Sequence, residues 1–265
     1  MRITIGQYYP ADSILHRLDP RVKLIGAIAH IAVLLAINNF VGFGIAAIYI
    51  LALILISKVP FRMFIRGLRS IVFVLMFVVA INVLLAPGET VLVSFSIFSV
   101  TAEGLLQAGQ MGARIVLIIT GTSVLTLATS PLQLTSGIES LLKPLKWIKV
   151  PVHDIAMMMT IALRFIPTLA SEMDKIIKAQ KARGADFESG GPLKRGRNLV
   201  PILIPLFVSA FKRADELATA MEARCYRGDN GRTKMNEIKT TPSDILSLGV
   251  VVIVSALIVL TRYIL

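Results

Sequence analysis

The chain has one cysteine, Cys225, and three histidines, His16, His30 and His153, among its 265 residues. A lone cysteine excludes an internal disulfide framework and a multi-cysteine metal centre, and the histidines stand far apart in no ligand spacing. Charge is scarce too, at 17% of residues, where an ordinary soluble domain carries about 25%. Acidic residues are nearly missing from the apolar stretches, so no Ser/His/Asp, Cys/His or paired-carboxylate constellation emerges. There is no G-x-x-x-x-G-K-[ST] phosphate loop. Gly191–Arg197 superficially resembles one but ends wrongly and follows no buried strand. The chain is therefore expected not to be an enzyme, not to hydrolyse ATP by itself, and to hold no metal or cofactor. Its N-terminus, MRITIGQYYPADS, has no apolar stretch and does not read as a cleavable signal peptide.

Hydrophobic residues, by contrast, make up 55% of the chain, and mean hydropathy is +0.75. The apolar runs reach membrane-spanning length, which points to an all-α, polytopic membrane protein. Val22–Ser57 is almost uncharged. As one helix it would be about 54 Å long, too long for a hydrocarbon core of about 30 Å. Asn38-Asn39, followed by Gly42 and Gly44, supplies the break. A hairpin of two spans, Val22–Ile37 and Phe40–Ser57, is the expectation. Lys58, Arg62, Arg66 and Arg69 then form a basic connection to a third span, Ser70–Ala86, which Pro87-Gly88-Glu89 ends. Val91–Val100 is apolar but too short to span and reads as a small extended hairpin or an interfacial segment. Leu105–Ala128, which carries Arg114, and Ile245–Tyr263 complete five spans.

Lys plus Arg number 28 against 16 Asp plus Glu, a net charge of +12. In a soluble protein this surplus would suggest a nucleic-acid partner. Here it collects in one set of loops, as positively charged cytoplasmic segments do, and no nucleic acid is expected. The connections at Asn38-Asn39 and Pro87–Glu103 contain no Lys or Arg. Arg17, Arg21, Lys23, the residues at 58–69 and the basic positions from Lys143 to Lys239 lie on the other side. By the positive-inside rule the N-terminus is expected in the cytoplasm, and five spans put the C-terminus outside.

The division expected is a four-span membrane domain at 1–128, a cytoplasmic module at 129–242 and a C-terminal span at 243–265. The module reads as three helices, two of them long. The first, Leu132–Ile148, carries Trp147 among Lys143, Lys146 and Lys149, suited to headgroup level. The second, Asp154–Ala182, and the third, Arg195–Arg227, share a layout: an apolar first half containing prolines, then a charged second half. They read as struts rather than spans, because the apolar halves are shorter than the roughly 17–25 residues a span needs. The alternative makes both of them spans, seven in all, and puts Lys178–Arg183 and Lys194–Arg197 outside, against the charge rule.

Few polar groups sit at membrane depth. His30 and Asn82 read as satisfied packing residues; Arg114 reads either as half of a structural ion pair or as a partner contact. A repeated ending is more informative. One strut finishes Ala182-Arg183-Gly184 and the other Ala223-Arg224-Cys225. An arginine there lies at the negative end of the helix dipole, and its planar fork can pair bidentately with a carboxylate on a docked partner. Each alone could be a solvated helix end. Together they suggest two equivalent docking points.

The N-terminal run Gly6-Gln7-Tyr8…Pro10…Asp12-Ser13…Leu15-His16-Arg17-Leu18-Asp19-Pro20-Arg21…Lys23 closely resembles the start of the transmembrane T component of energy-coupling factor transporters. The two triplets resemble that family's X-Arg-X coupling motifs, and the resemblance covers essentially the whole chain. It implies a scaffold that joins two ABC-type ATPases to a substrate-specific membrane S component for uptake of a vitamin or other micronutrient. It further implies that Ala182, Arg183, Gly184, Ala223, Arg224 and Cys225 dock the ATPases, and that the two long helices cross as an X and pass ATP-driven motion to the S component. Cys225 departs from the commoner Gly or Ser. Met157-Met158-Met159 and Pro201…Pro205 would then face the S component, or else simply pack against the spans. Two other classes compete: a stand-alone secondary transporter, which would need repeated broken spans with polar midplane residues, and a lipid-modifying membrane enzyme, which would need Asp- or His-rich motifs.

Overall fold

A computed structural model describes residues 8–85, 90–95, 98–185, 187, 191–228 and 240–264. Gly6, Gln7 and the Pro87-Gly88-Glu89 turn lie outside them. The elements run α1 (Ile14–Arg17), α2 (Pro20–Ala36), α3 (Phe40–Ser57), α4 (Phe61–Arg69), α5 (Val72–Leu85), β1 (Val91–Phe95), β2 (Phe98–Thr101), α6 (Ala102–Ala128), α7 (Pro131–Leu142), a 3-10 turn (Lys143–Ile148), α8 (Val152–Ala182), α9 (Pro192–Ala223) and α10 (Pro242–Ile264). Among the described residues the protein is all-α apart from one antiparallel hairpin, in which Phe95 pairs with Phe98 and Val91 with Thr101. Helices α3, α6, α8 and α10 are long and apolar enough to cross a membrane, and α4 with α5, bent by 58°, makes a fifth candidate.

The chain divides into two compact units. One holds α1–α7, the hairpin and α10; the other holds the 3-10 turn, α8 and α9.

In the first unit the core runs along α2, α3, α6 and α10, with Leu34, Ile37, Phe43, Ile50, Leu117, Val124, Leu127 and Ile258 buried, and Phe64 of α4 joins it. Lipid tails are as apolar as leucine, so such helices associate through close packing and polar staples rather than hydrophobic burial. Gly121 shows the closeness: a Cβ there would sit 2.6 Å from the ring of His30. His30 in turn reaches Leu117 O at 3.3 Å. Asn82 donates to Val78 O at 2.9 Å within its own helix.

Polar staples close both ends of this unit. At one end the turn between α2 and α3 is held from two sides. Asn39 donates to Thr261 O at 2.7 Å, Arg262 to Ala36 O at 3.1 Å, and Gln110 to Asn38 O at 2.6 Å. Arg114 belongs to the same cluster. Its guanidinium donates to the carbonyls of Leu34 and Ile37 and to Asn38 Oδ1, and lies 5.6 Å from the centre of the Phe43 ring. These carbonyls are free of helical partners because α2 ends there, and the negative end of its dipole attracts the cation. Among the described residues Arg114 has no carboxylate partner, and its guanidinium caps the end of a helix.

At the other end the N-terminal run forms a knot. Ser13 Oγ and His16 Nδ1 are 2.7 Å apart, His16 Nε2 is 3.0 Å from Tyr9 O, and Tyr9 N donates to Leu127 O. Asp19 caps α2 by accepting from Arg21 N at 2.8 Å, with Pro20 at the first helical position, where its missing N–H costs nothing. Asp244 accepts from Asp19 N and from both the backbone and hydroxyl of Thr241, each at 2.7 Å. Lys23 donates to His16 O and Ala128 O. The motif thus ties α1, α2, α6 and α10 together.

Two readings of helix bounds are corrected. The basic connection at 58–69 contains a helix, α4, entered through Lys58 at φ +56°. The stretch read as one helix, Leu132–Ile148, changes at Lys143-Pro144 from α7 to the 3-10 turn, since Pro144 has no N–H for the α ladder. Trp147 on that turn is 95% exposed.

Candidate coupling site at two matched helix ends

The second unit is built on α8 and α9, with 31 and 32 residues, each about 47 Å long. Pro167 interrupts the hydrogen-bond ladder of α8, and Pro201 and Pro205 that of α9. The helices start slightly before the positions expected for them. α9 also stops at Ala223 rather than Arg227.

They pack on each other and are locked by one polar cluster. Glu172 of α8 accepts from Ser209 Oγ at 2.6 Å and from the Arg213 guanidinium, both on α9. The Ser209 hydroxyl first, and Arg213 after it, hold the Glu172 carboxyl below its ordinary value of 4.5. Nothing in the local sequence marks this cluster, because Glu172 is one of two acids, with Asp174, in a charged half-helix. A covariation signal between 172 and 213 would be the trace to look for.

All six candidate docking residues fall where the helices stop. Ala182 is the last residue of α8, Arg183 its C-cap and Gly184 the residue beyond; Ala223, Arg224 and Cys225 hold the same positions on α9. The hydrogen bonds match one for one. Gly184 N donates to Lys181 O at 3.0 Å and Ala185 N to Gln180 O at 3.0 Å. Cys225 N donates to Glu222 O at 2.9 Å and Tyr226 N to Met221 O at 3.0 Å. This is the Schellman pattern, in which the residue after the cap turns left-handed so that two orphan carbonyls find donors. Gly184 has φ +87° and Cys225 φ +56°. The small third residue of each triplet thus has a backbone reason, beyond leaving room for an approaching surface.

Both terminal arginines are exposed. Neither guanidinium has a hydrogen-bond or ion-pair partner among the described residues. Each lies eleven residues beyond the clamp, Arg183 from Glu172 and Arg224 from Arg213, which is about 16 Å along a helix. The two arms beyond the clamp are equal. Among the described residues no group of three or more His, Cys, Asp or Glu could hold a metal ion. The geometry offers protein-pairing chemistry at two tips.

A stapled bundle of apolar helices, together with a clamped helix pair ending in twin arginines, makes an all-α multi-pass membrane protein. The comparisons give the particular family. The cobalt transport protein model, CbiQ, matches residues 11–235. The chain is 48% identical over 262 residues to the energy-coupling factor transporter transmembrane protein EcfT of Ruminiclostridium cellulolyticum, covering 99% of this chain and 98% of that one. It is 49% identical over 261 residues to the EcfT of Clostridium kluyveri, covering 98% and 97%. With that of Listeria innocua it shares 45% over 252 residues, covering 94% and 95%. The chain belongs to this family of transmembrane components of energy-coupling factor transporters and is a multi-pass cell-membrane protein.

Proposed function

We propose that the chain is the scaffold of an importer, carrying motion from two ABC-type ATPase subunits to a substrate-binding S component that takes up a vitamin or other micronutrient. Arg183 and Arg224 are the docking points, one per ATPase. The observation that carries this reading is the duplicated helix end: the same cap geometry, an exposed unpaired arginine at the same position, and equal arms from one clamp.

Energy coupling needs stiffness between the place pushed and the place that responds. The Glu172–Ser209–Arg213 cluster supplies it, because displacement at either tip is passed to the partner helix at the clamp. The apolar halves that precede the clamp, with Met158, Met159, Leu203, Ile204, Phe207 and Val208 exposed, offer an adaptable face for the S component. The charge distribution supports an orientation with the N-terminus and residues 129–242 in the cytoplasm, α2, α3, α5, α6 and α10 crossing, and the C-terminus outside. Helix α8 meets the length and hydropathy of a span. Its second half, with Lys175, Lys178 and Lys181, favours the cytoplasmic side.

Copurification from mild detergent tests the reading. The tagged chain is expected to bring two ATPase chains and one small membrane protein. Isolation of the chain alone, still able to move a substrate in vesicles, would make it a stand-alone transporter.

A further inference from the structure

Helix α4 is the element that the coupling reading leaves unused. It is nine residues long and joins the end of α3 to the start of α5, at 58° to the latter. One side is anchored in protein: Phe64 is 2% exposed in the core, and Gly67 faces Ser123 of α6. Arg62, Arg66 and Arg69 stand at i, i+4 and i+7, which puts all three on one face, opposite Phe64. All three are exposed.

Their charge is uncompensated. Between Asp19 and Glu89 the sequence contains no acidic residue. The acid of α6, the helix against which α4 packs, is Glu103 in its first turn, whereas Ser123 lies near its far end. None of the three guanidinium groups has a partner among the described residues. Beside the stripe lie Phe61 and Ile65, 57% and 50% exposed. A short helix at the mouth of two spans, apolar along one edge and cationic along the next, matches the boundary between acyl chains and headgroups. Arginine pairs bidentately with phosphate and is more weakly hydrated than lysine, which suits that boundary.

We infer that α4 is a binding site for anionic phospholipid, its three arginines holding headgroup phosphates while Phe61 and Ile65 enter the acyl region. Each basic residue at such a surface strengthens binding about five-fold, so three together give on the order of a hundred-fold. The occupant is a lipid of the leaflet, because α4 is fixed at the ends of two membrane spans.

The test uses the full chain in nanodiscs of equal phosphatidylglycerol and phosphatidylcholine, followed by native mass spectrometry of the lipids that stay bound. The unaltered chain is expected to retain phosphatidylglycerol preferentially. Arg62→Gln/Arg66→Gln/Arg69→Gln should weaken that retention on the order of a hundred-fold. Lys175→Gln/Lys178→Gln/Lys212→Gln, with the same loss of charge elsewhere, should change it by less than three-fold. Arg62→Lys/Arg66→Lys/Arg69→Lys keeps the charge and should lose less than ten-fold, so a collapse confined to the glutamine variant reads as loss of binding rather than of fold. Unchanged retention in the glutamine variant would overturn the inference, as would equal loss in the strut variant. Loss of a copurifying protein with lipid retention unchanged would assign the stripe to a protein partner instead.

Discussion

Cys225 is a β-carbon residue in a conformation that glycine adopts without penalty. At φ +56° its side chain crowds the backbone, a cost of about 1–2 kcal/mol that Gly184 avoids at the matching position. Replacing Cys225 by Gly should therefore stabilise the α9 cap by about 0.5–1 kcal/mol, the gain being reduced by glycine's greater freedom when unfolded. Gly184→Ala should cost about 1 kcal/mol at the α8 cap. Amide hydrogen exchange reads both: roughly two- to five-fold slower at Tyr226 in the first variant, about five-fold faster at Ala185 in the second. Equal rates in parent and variants would mean that the left-handed turn does not limit either cap. Arg114 carries a different lesson at the same scale. A cation in a membrane-spanning helix reads as a functional candidate, but, besides Asn38 Oδ1, its acceptors are backbone carbonyls at the end of α2, distant in sequence. Carbonyl acceptors belong to every residue, so no side-chain pattern could have named them.

Between α8 and α9 the element that matters is the clamp. Glu172 has its carboxyl held below the ordinary value of 4.5, so the ionised form favours the packed pair. The sign follows: its contribution is present above about pH 4.5 and is lost as pH falls through the lowered value. In Glu172→Gln that acid-side loss should vanish, leaving a weaker pair whose thermal midpoint is flatter between neutral and acid pH. Circular dichroism melts across that range decide it, and parallel curves for parent and variant would remove Glu172 from the clamp. The helices themselves were largely legible. The bounds of α2 and α3 follow closely from Asn38-Asn39, and the β-hairpin is one of the two readings left open for a ten-residue run too short to span. Helix α4 was missed: its basic residues read as a connection, although Arg62, Arg66 and Arg69 at i, i+4 and i+7 already mark one helical face. The break at Lys143-Pro144 could have been read, since proline cannot continue a helical ladder. The triplets stood out as a repeat, while their shared cap geometry rests on backbone angles that a cysteine conceals.

On the scale of the whole molecule, one unit is stapled at both ends and the other is clamped near the middle of its helices. The staples give the recognisable N-terminal run a structural role: Ser13, His16, Asp19 and Lys23 bind backbone and side chains of α1, α2, α6 and α10 and tie them into a knot. The proposed orientation is testable with single cysteines in a Cys225→Ser background. A membrane-impermeant thiol reagent applied outside should label position 90 and spare position 191; labelling at 191 would make α8 and α9 spans. The twin tips carry the central proposal. If each arginine pairs with a carboxylate in an ATPase groove, losing one partner costs about 2–5 kcal/mol, roughly 30- to several-thousand-fold in affinity. Two anchors act together, so Arg183→Glu or Arg224→Glu alone is expected to leave the complex assembled but poorly coupled. The decisive measurement is the double change Arg183→Glu with Arg224→Glu, read by ATPase pull-down beside micronutrient uptake in the same cells. The ATPases should be released and uptake lost, while the chain still inserts and still holds its small membrane partner. Normal uptake with both ATPases retained would reduce the two arginines to solvated helix ends.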